Sequence, residues 1–215
     1  MKMDLHVHSN ISPCSKMSLE DLIKKAWEIG LDGLCITDHA STAAKAYLDK
    51  LPNYGLTIIV GMEYSSTDGD FLVFGEIENI PSGLSGRQLL EFIAPSNTLA
   101  IAAHPFRQKR RCNPSVMENV LIVEGINGRC SDLENELTLK WACGRNQKLV
   151  GGSDAHTLDE IGKVVTWFER PIFDVWDLIE NLKNHQYYPE IGREFEVSAY
   201  YFRRSGRSFP PSLGL

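Results

Sequence analysis

One short stretch near the amino terminus carries most of the information about this fold: residues 4–9 read D-L-H-V-H-S. The surrounding run, residues 3–8, has the apolar character of a first β-strand. Successive side chains of a strand point to opposite faces, so His6 and His8 share a face and can bind one ion together. Asp4 has the same parity, and its carboxylate could accept an imidazole N–H from behind. The alternative interpretation is a pair of half-buried polar residues on an edge strand.

Beyond this strand, the chain alternates short apolar runs with helical patterns. We predict strands over 3–8, 33–37, 56–61, 71–75, 99–103, 121–124, 149–152 and 164–168, and helices over 18–29, 43–51, 85–93, from 131 onward, and over 173–184. This alternation predicts about seven parallel βα units. Because the polar residues of chemical interest all follow strand ends, the pattern favours a barrel over an open sheet.

The domain organisation is expected to be simple. No linker or repeat divides the chain, so residues 1–193 are predicted to form one domain and residues 194–215 a tail without a clear pattern. No apolar run reaches the roughly 18 to 20 residues of a membrane span, and the amino terminus lacks the apolar core of a signal peptide. We therefore predict a cytoplasmic protein with no membrane partner.

The composition excludes several classes of protein. The chain has 215 residues, 43% of them hydrophobic and 23% charged, and its net charge is −6. This acidic balance argues against a general nucleic-acid coat. Five cysteines without a C-x-x-C pair disfavour both a disulfide framework and a zinc site built from four cysteines.

Further candidate metal ligands follow the other predicted strands. A carboxylate directly after a buried apolar strand is costly unless it is paired or bound to a metal. With the first two histidines, the strand-end set is His6, His8, His39, Glu63, His104, Asp154 and His156. These are more donors than one tetrahedral zinc ion takes, so we predict two to three divalent ions that share bridging carboxylates. Mixed imidazole and carboxylate donors suit Zn, Mn or Fe.

These motifs, in this order, resemble the PHP superfamily of metal-dependent phosphoesterases, named for polymerase and histidinol phosphatase. The matching stretches are D-L-H-V-H-S (4–9), T-D-H (37–39), G-M-E (61–63), A-H-P (103–105), E-G-I-N (124–127), G-S-D-A-H (152–156) and E-I-G (160–162). The resemblance implies an α/β fold, a distorted (β/α)7 TIM-like barrel with up to three ions at its carboxyl-terminal rim. The ligands that it implies are His6, His8, Glu63 and Asp154 for the first ion, Glu63 and His104 for the second, and His39 and His156 for the third.

The chain departs from its relatives at two positions. Many relatives have a histidine in a G-H-x-L stretch after the glutamate, but residues 69–72 read G-D-F-L here, so Asp70 would have to supply an oxygen. Relatives also have a histidine or aspartate ligand about six residues past the second histidine, where this chain has Cys14. The thiol is a candidate thiolate ligand, and its alternative role is that of a small buried hydrophobe.

Basic residues follow the candidate ligand His104. Arg107 stands three residues further on, and Lys109, Arg110 and Arg111 come directly after it. Next to a metal-binding rim in an acidic protein, such a cluster can bind phosphate oxygens, and its alternative role is that of a solvated charged loop. We predict that Arg107 and Arg129 bind substrate.

The function that follows is hydrolysis of a phosphomonoester or phosphodiester by a hydroxide that bridges the ions. The predicted catalytic residues are Asp154, which holds the ions that bind this hydroxide, Arg107, which neutralises phosphoryl charge, and His156. Either His156 or a water on the third ion protonates the leaving group. The predicted substrate is a small phosphorylated molecule such as a nucleotide, an oligonucleotide end or a histidinol phosphate-like ester. Two alternatives remain open: a metal-dependent amidohydrolase, which also begins with H-x-H, and a non-catalytic RNA-binding barrel subunit.

Overall fold

The computed structural model describes residues 1–192, so the predicted tail at 194–215 lies outside the described residues, as does residue 193. The strands are β1 (Lys2–Val7), β2 (Gly33–Ile36), β3 (Thr57–Val60), β4 (Met62–Ser66), β5 (Gly69–Phe74), β6 (Leu99–Ala102), β7 (Ile122–Asn127), β8 (Lys148–Gly152), β9 (Val164–Phe168) and β10 (Tyr187–Ile191). The helices are α1 (Leu19–Glu28), α2 (Lys45–Leu48), α3 (Gly86–Ile93), α4 (Pro114–Met117), α5 (Asp132–Ala142) and α6 (Val175–Asn184).

The strands form two five-stranded sheets. One sheet has the order β10-β9-β1-β2-β3 and the other β4-β5-β6-β7-β8. Strands β1, β2 and β3 are parallel, as are β6, β7 and β8, whereas β9 and β5 run antiparallel to both of their neighbours. The predicted α/β class is confirmed. The closed TIM-like barrel is not confirmed, because the ladders of the described residues divide into these two sheets.

Isolated bridges join the two sheets where the parallel strands end. Val7 at the end of β1 bridges to Ala155 beyond β8, and His39 beyond β2 bridges to Glu63 in β4. Next to the first bridge, the His8 N–H donates to the Ala155 carbonyl at 2.9 Å. The carboxyl ends of β1, β2 and β8 therefore meet the start of β4, and the strand-end residues of both sheets lie together.

Three apolar clusters hold this arrangement in place. The central one lies between the sheets, where Leu72, Phe74, Ile101 and Phe168 are buried together with Leu178 of α6. A second cluster packs α1 on the first sheet, and a third packs α3 on the second sheet. Burying large apolar side chains at about 25 cal/mol per Å² is the main stabilising contribution to such a core.

Most predicted elements are present, and the differences concern short ones. Ser18 caps α1, and Ser131 with Glu134 forms the predicted capping box of α5. Helix α2 is shorter than predicted, and none of its side chains is buried, so packing does not extend it. Strands β4 and β10 were not predicted, and Glu63 lies within β4 rather than after a strand. Within residues 1–192, no helix combines the length and apolar character that crossing a bilayer requires.

Candidate metal centre

Four donor atoms converge where the two sheets meet. His6 Nε2 and His8 Nε2 lie 3.1 Å apart. Glu63 Oε2 is 3.5 Å from the first of these nitrogens and 3.2 Å from the second. Asp154 Oδ1 is 3.5 Å from the first and 3.3 Å from the second. Five of the six distances among these four atoms therefore fall between 3.1 and 3.5 Å.

The five distances are those expected between donor atoms that bind one divalent cation. Ligands at about 2.0 to 2.1 Å from a tetrahedral zinc ion are about 3.3 to 3.4 Å from one another, since the edge is about 1.63 times the radius. Two imidazole nitrogens and two carboxylate oxygens are also a common donor set for such an ion. His6, His8 and Glu63, whose ligand atoms all lie within 4.8 Å of one another, therefore fit a divalent cation, and Asp154 places a carboxylate oxygen next to both histidines.

The electrostatics of the same four groups favour a cation. All four residues are buried, none exposing more than 2% of its surface. Burial alone would raise the pKa of Glu63, but the charge of His6 and the hydrogen bond from His104 outweigh it, so that this pKa lies well below its usual range. Burial likewise opposes ionisation of Asp154, yet the charge of His6 and the hydrogen bond to His8 lower its pKa. Both carboxylates are therefore anionic donors.

Glu63 connects the first group to two more histidines. Its Oε1 lies 2.9 Å from His104 Nε2, and its Oε2 lies 3.0 Å from His39 Nδ1. One carboxylate between several imidazoles has the arrangement of a ligand that bridges ions. Asp70 is the remaining donor on this side, within 4.8 Å of the ligand atoms of Glu63 and His104.

A third group of candidate ligands, the outer group, lies toward solvent. The ligand atoms of His8, Cys14, His39 and His156 all lie within 4.8 Å of one another. The side chain of His39 is 39% exposed, and Cys14 is also exposed, so this group opens the centre to solution. Partial burial of the sulfur, together with the negative charges of Glu63 and Asp154, raises the pKa of the Cys14 thiol, which opposes formation of the thiolate in the absence of a cation.

His156 has one ring nitrogen committed to the backbone. Its Nδ1 lies 2.8 Å from the Asp154 carbonyl oxygen, which only accepts, so Nδ1 carries the proton. Nε2 is then the nitrogen available to an ion or to a leaving group. Burial lowers the pKa of His156, which favours the neutral ring that binds ions.

Two candidate ligands sit on strained backbone. His104 has φ 28° and Asp154 has φ 55°, a region that residues other than glycine seldom adopt. Such conformations cost about 1 to 3 kcal/mol each and persist where the surroundings enforce them, often at functional sites. Gly152 is required for a steric reason, because a Cβ at this position would lie 2.6 Å from the His6 Cβ and 2.7 Å from Glu124 Oε1.

Glu124 is a residue of the centre that sequence reasoning missed as a site residue. Its Oε1 accepts from His6 Nδ1 at 3.0 Å, and its Oε2 accepts from the His104 N–H at 2.7 Å and from Asn127 Nδ2 at 2.9 Å. It therefore orients one candidate ligand and the backbone of another. The E-G-I-N stretch was the only sequence signal that could have identified it.

Asp4 does not hold an imidazole, contrary to the prediction. Its Oδ1 accepts the N–H of His6 at 3.3 Å and of Ser153 at 2.9 Å, and its Oδ2 accepts the N–H of Gly162 at 2.9 Å. Burial outweighs these bonds and raises the pKa of Asp4 to about 6. The prediction failed because backbone N–H groups of three different segments already engage both oxygens of Asp4.

Asp38 likewise supports the centre from behind. Its carboxylate accepts from Ser9 N–H at 2.8 Å, from the Ser9 hydroxyl at 2.6 Å and from the Ser12 hydroxyl at 2.5 Å. Ser12 Oγ in turn accepts from the His39 N–H at 3.0 Å and lies 3.4 Å from His8 Nδ1. These bonds fix the loop after β1, which carries Cys14, and join it to the backbone of His39.

The predicted substrate-binding arginines have different surroundings. Arg107 Nη2 donates to Asp154 Oδ2 at 2.6 Å and to Asn127 Oδ1 at 2.7 Å, so this guanidinium lies against the centre. Arg129 Nε is 3.6 Å from Glu160 Oε1, at one remove from the candidate ligands. Glu160 Oε2 accepts the N–H of His156 at 2.8 Å, which connects this arginine indirectly to the outer group.

Solved structures share this fold. PsfC from Pseudomonas syringae PB-5123 superposes with a TM-score of 0.73 and 20% identity, covering 95% of each chain. A protein from Bifidobacterium adolescentis, assigned to the metal-dependent phosphoesterases, has a TM-score of 0.62 and 14% identity, with 86% of this chain and 96% of that chain covered. A lesion-specific endonuclease from Pyrococcus furiosus has a TM-score of 0.65 and 16% identity, over 87% of this chain and 57% of that chain.

Sequence comparisons identify the family to which the chain belongs. Two uncharacterized proteins of Methanocaldococcus jannaschii are similar to this chain: one is 30% identical over 178 residues, 78% of this chain and 70% of its own length. The other is 32% identical over 117 residues, 49% of this chain and 68% of its own length. Residues 4–108 match the PHP domain model, and residues 132–187 match the model described as PHP-associated. The chain therefore belongs to the PHP family.

Proposed function

We propose that this protein is a metal-dependent phosphoesterase whose ions are held by the converging strand-end residues. The observation that carries the proposal is the convergence of two carboxylate oxygens, of Glu63 and Asp154, on the paired nitrogens His6 Nε2 and His8 Nε2 at 3.2 to 3.5 Å. The outer group of His8, Cys14, His39 and His156 would hold a second ion. The cation is Zn, Mn or Fe on the chemistry of the donors.

Bound divalent ions supply Lewis-acid polarisation of a phosphoryl oxygen and a source of hydroxide near neutral pH. The chain's own residues then determine which substrate fits. Arg107 is anchored to Asp154 through Nη2, and arginine has five N–H donors, so others remain for phosphoryl oxygens. This anchored guanidinium favours phosphoester over amide substrates, since a trigonal amide offers no array of anionic oxygens.

His156 is proposed to act at the leaving-group side of the site. Because Nδ1 is held by the Asp154 carbonyl, only Nε2 can bind an ion or pass a proton to a departing alkoxide. The lowered pKa of this ring favours the ligand role in the resting protein. The substrate class that we propose is a small phosphorylated molecule, with nucleotides and oligonucleotide ends included.

The test combines metal content with phosphate release. We would measure both for the wild type and Asp154→Asn, using nucleotides, an oligonucleotide, histidinol phosphate and an aryl phosphate with added Mn²⁺ or Zn²⁺. We expect bound ions and phosphate release in the wild type and at least a hundredfold lower kcat, about 3 kcal/mol in activation free energy, in the variant. His185→Asn, which removes a histidine outside the centre, is the matched control.

Two results would refute the proposal. A wild type that binds no ions and is inert on every ester would favour the non-catalytic, RNA-binding alternative. A wild type that hydrolyses amides or lactams in a parallel panel, while leaving every phosphate ester intact, would favour the amidohydrolase alternative. The retained ligands and the net charge of −6 count against RNA binding.

A further inference from the structure

The loop after β6 directs two arginines at two buried carboxylates, and they bind in different ways. Arg107 Nη2 contacts only Oδ2 of Asp154, at 2.6 Å, and leaves Oδ1 facing His8 at 3.3 Å. Arg110 contacts both oxygens of Asp70: Nε donates to Oδ2 at 3.0 Å, and Nη2 donates to Oδ1. Asp154 therefore keeps one oxygen for a cation, whereas Asp70 shares both with a guanidinium.

Asp70 would otherwise be a plausible ligand. It is buried, with 3% of its surface exposed, and lies within 4.8 Å of the ligand atoms of Glu63 and His104. The guanidinium enters this position from a side chain that is 47% exposed. The hydrogen bonds to Asp70 and the negative charge of Glu63 raise the pKa of Arg110, so the guanidinium keeps its positive charge beside Asp70.

The loop holds Arg110 in this position. It begins at His104, whose carbonyl accepts the Arg107 N–H at 2.9 Å, and the Arg107 carbonyl accepts the Arg110 N–H at 3.1 Å. The Gln108 N–H donates to Glu134 Oε1 at 2.8 Å, which ties the loop to α5. A candidate ligand and the arginine beside it are thus placed by one short, anchored segment.

We propose that Arg110 supplies the positive charge at this end of the centre in place of an ion, so that the protein binds two ions rather than three. The inference rests on the proposed function and refines it. A divalent ion held by Glu63, His104 and Asp70 would lie close to the guanidinium. At about 5 Å and an effective dielectric constant of about 20, that repulsion lowers affinity by roughly four to five powers of ten while the guanidinium stays in place.

The guanidinium of Arg110 can also bind substrate in this position. Asp70 engages two of the five N–H donors of Arg110, and three remain for a phosphoryl oxygen. A guanidinium binds such oxygens without the exchange and loss that a weakly held ion undergoes. Arg110 is thus a substrate-side residue, and Asp70 is the residue that positions it.

The experiment counts Mn²⁺ by elemental analysis after gel filtration and measures stepwise affinities by titration calorimetry. We expect two ions in the wild type and in Lys109→Gln, which removes a neighbouring charge from the same loop. We expect three in Arg110→Gln, with the added ion bound at least tenfold more tightly than any third ion in the wild type. The double variant Asp70→Asn/Arg110→Gln should return to two, because the carboxylate that admits the third ion is lost.

Arg110→Lys is a second control, because it changes the same residue but retains the positive charge. It keeps the charge and loses the bidentate geometry, so it should bind two ions, and thermal unfolding reports whether each variant is folded. Three ions in the wild type, or two in a folded Arg110→Gln, would overturn the inference and leave the proposed function standing. No ions in any of these proteins would overturn both.

Discussion

Glu124→Gln tests how the centre sets the proton on its first ligand. In the wild type, the Glu124 carboxylate accepts from His6 Nδ1, so Nε2 is the nitrogen left to bind a cation, and a bound cation displaces the proton from Nε2 rather than from Nδ1. Glutamine has nearly the same shape, but one of its two terminal atoms is a donor. The substitution therefore changes hydrogen-bond polarity without opening a cavity.

Both orientations of the new amide conflict with the structure. If the amide nitrogen faces His6, it must donate to Nδ1, which moves the ring proton to Nε2 and removes the lone pair that binds the ion. If the amide nitrogen faces the other way, it meets the His104 N–H and the Asn127 amide, which are both donors at 2.7 and 2.9 Å. Leaving buried donors unpaired costs about 1 to 3 kcal/mol each.

The expected loss is therefore about 10- to 100-fold in metal affinity, or about 1.4 to 2.8 kcal/mol, the usual range for a residue that orients a ligand. The assay is competition for Zn²⁺ against a chromophoric chelator, with thermal unfolding of the metal-free protein measured in parallel. Glu180→Gln, a like substitution at an exposed position of α6, is the control. Wild-type Zn²⁺ affinity in a folded Glu124→Gln would refute this account of the ligand's tautomer.

Three further predictions concern other parts of the chain. Loaded with Co²⁺, the protein should show a thiolate-to-metal charge-transfer band that Cys14→Ser abolishes and Cys143→Ser retains; its absence from the wild type would exclude thiolate ligation. Gly152→Ala should weaken Zn²⁺ binding at least tenfold, because the new Cβ lies 2.7 Å from Glu124 Oε1, and unchanged affinity would contradict that crowding. Lys148→Met should lower the free energy of unfolding by about 1 to 2 kcal/mol in urea, since the ammonium binds the last carbonyls of α6, while metal affinity stays constant.

The sequence predicted the strand ends well because local patterns encode them. Apolar runs followed by histidine or carboxylate located all the histidines that the structure brings together, along with Glu63 and Asp154. Strand β4 was missed because residues 62–66 read M-E-Y-S-S and lack the apolar run of a strand, so the preceding strand was predicted to end at Gly61. The chain changes sheets there, and a Cβ at Gly61 would lie 2.5 Å from the Phe74 ring, a constraint invisible without the second sheet.

Contacts between residues that are distant in the chain could not be predicted, because local sequence patterns do not show which strands become neighbours. Glu124 ends an ordinary apolar run, and its partners come from β1 and from the loop after β6. Arg110 is forty residues from Asp70 in the chain, so no periodicity relates them. Strand β10 was missed because Pro189 argues against a strand interior; the structure places β10 at a sheet edge, where proline is tolerated.

The number of carboxylates at strand ends overestimates the number of metal ligands, because the oxygens of several carboxylates already accept hydrogen bonds from other groups. Asp38 is taken up by a backbone N–H and two serine hydroxyls, and Asp4 by three backbone N–H groups. Asp154 divides its oxygens between an arginine and the histidines, while Glu63 directs both of its oxygens at imidazoles. Asp70 gives both of its oxygens to a guanidinium. The number of bound ions should therefore depend on how many carboxylate oxygens remain free of hydrogen bonds. The number of ions bound by Arg110→Gln tests this general rule as well as the role of Arg110.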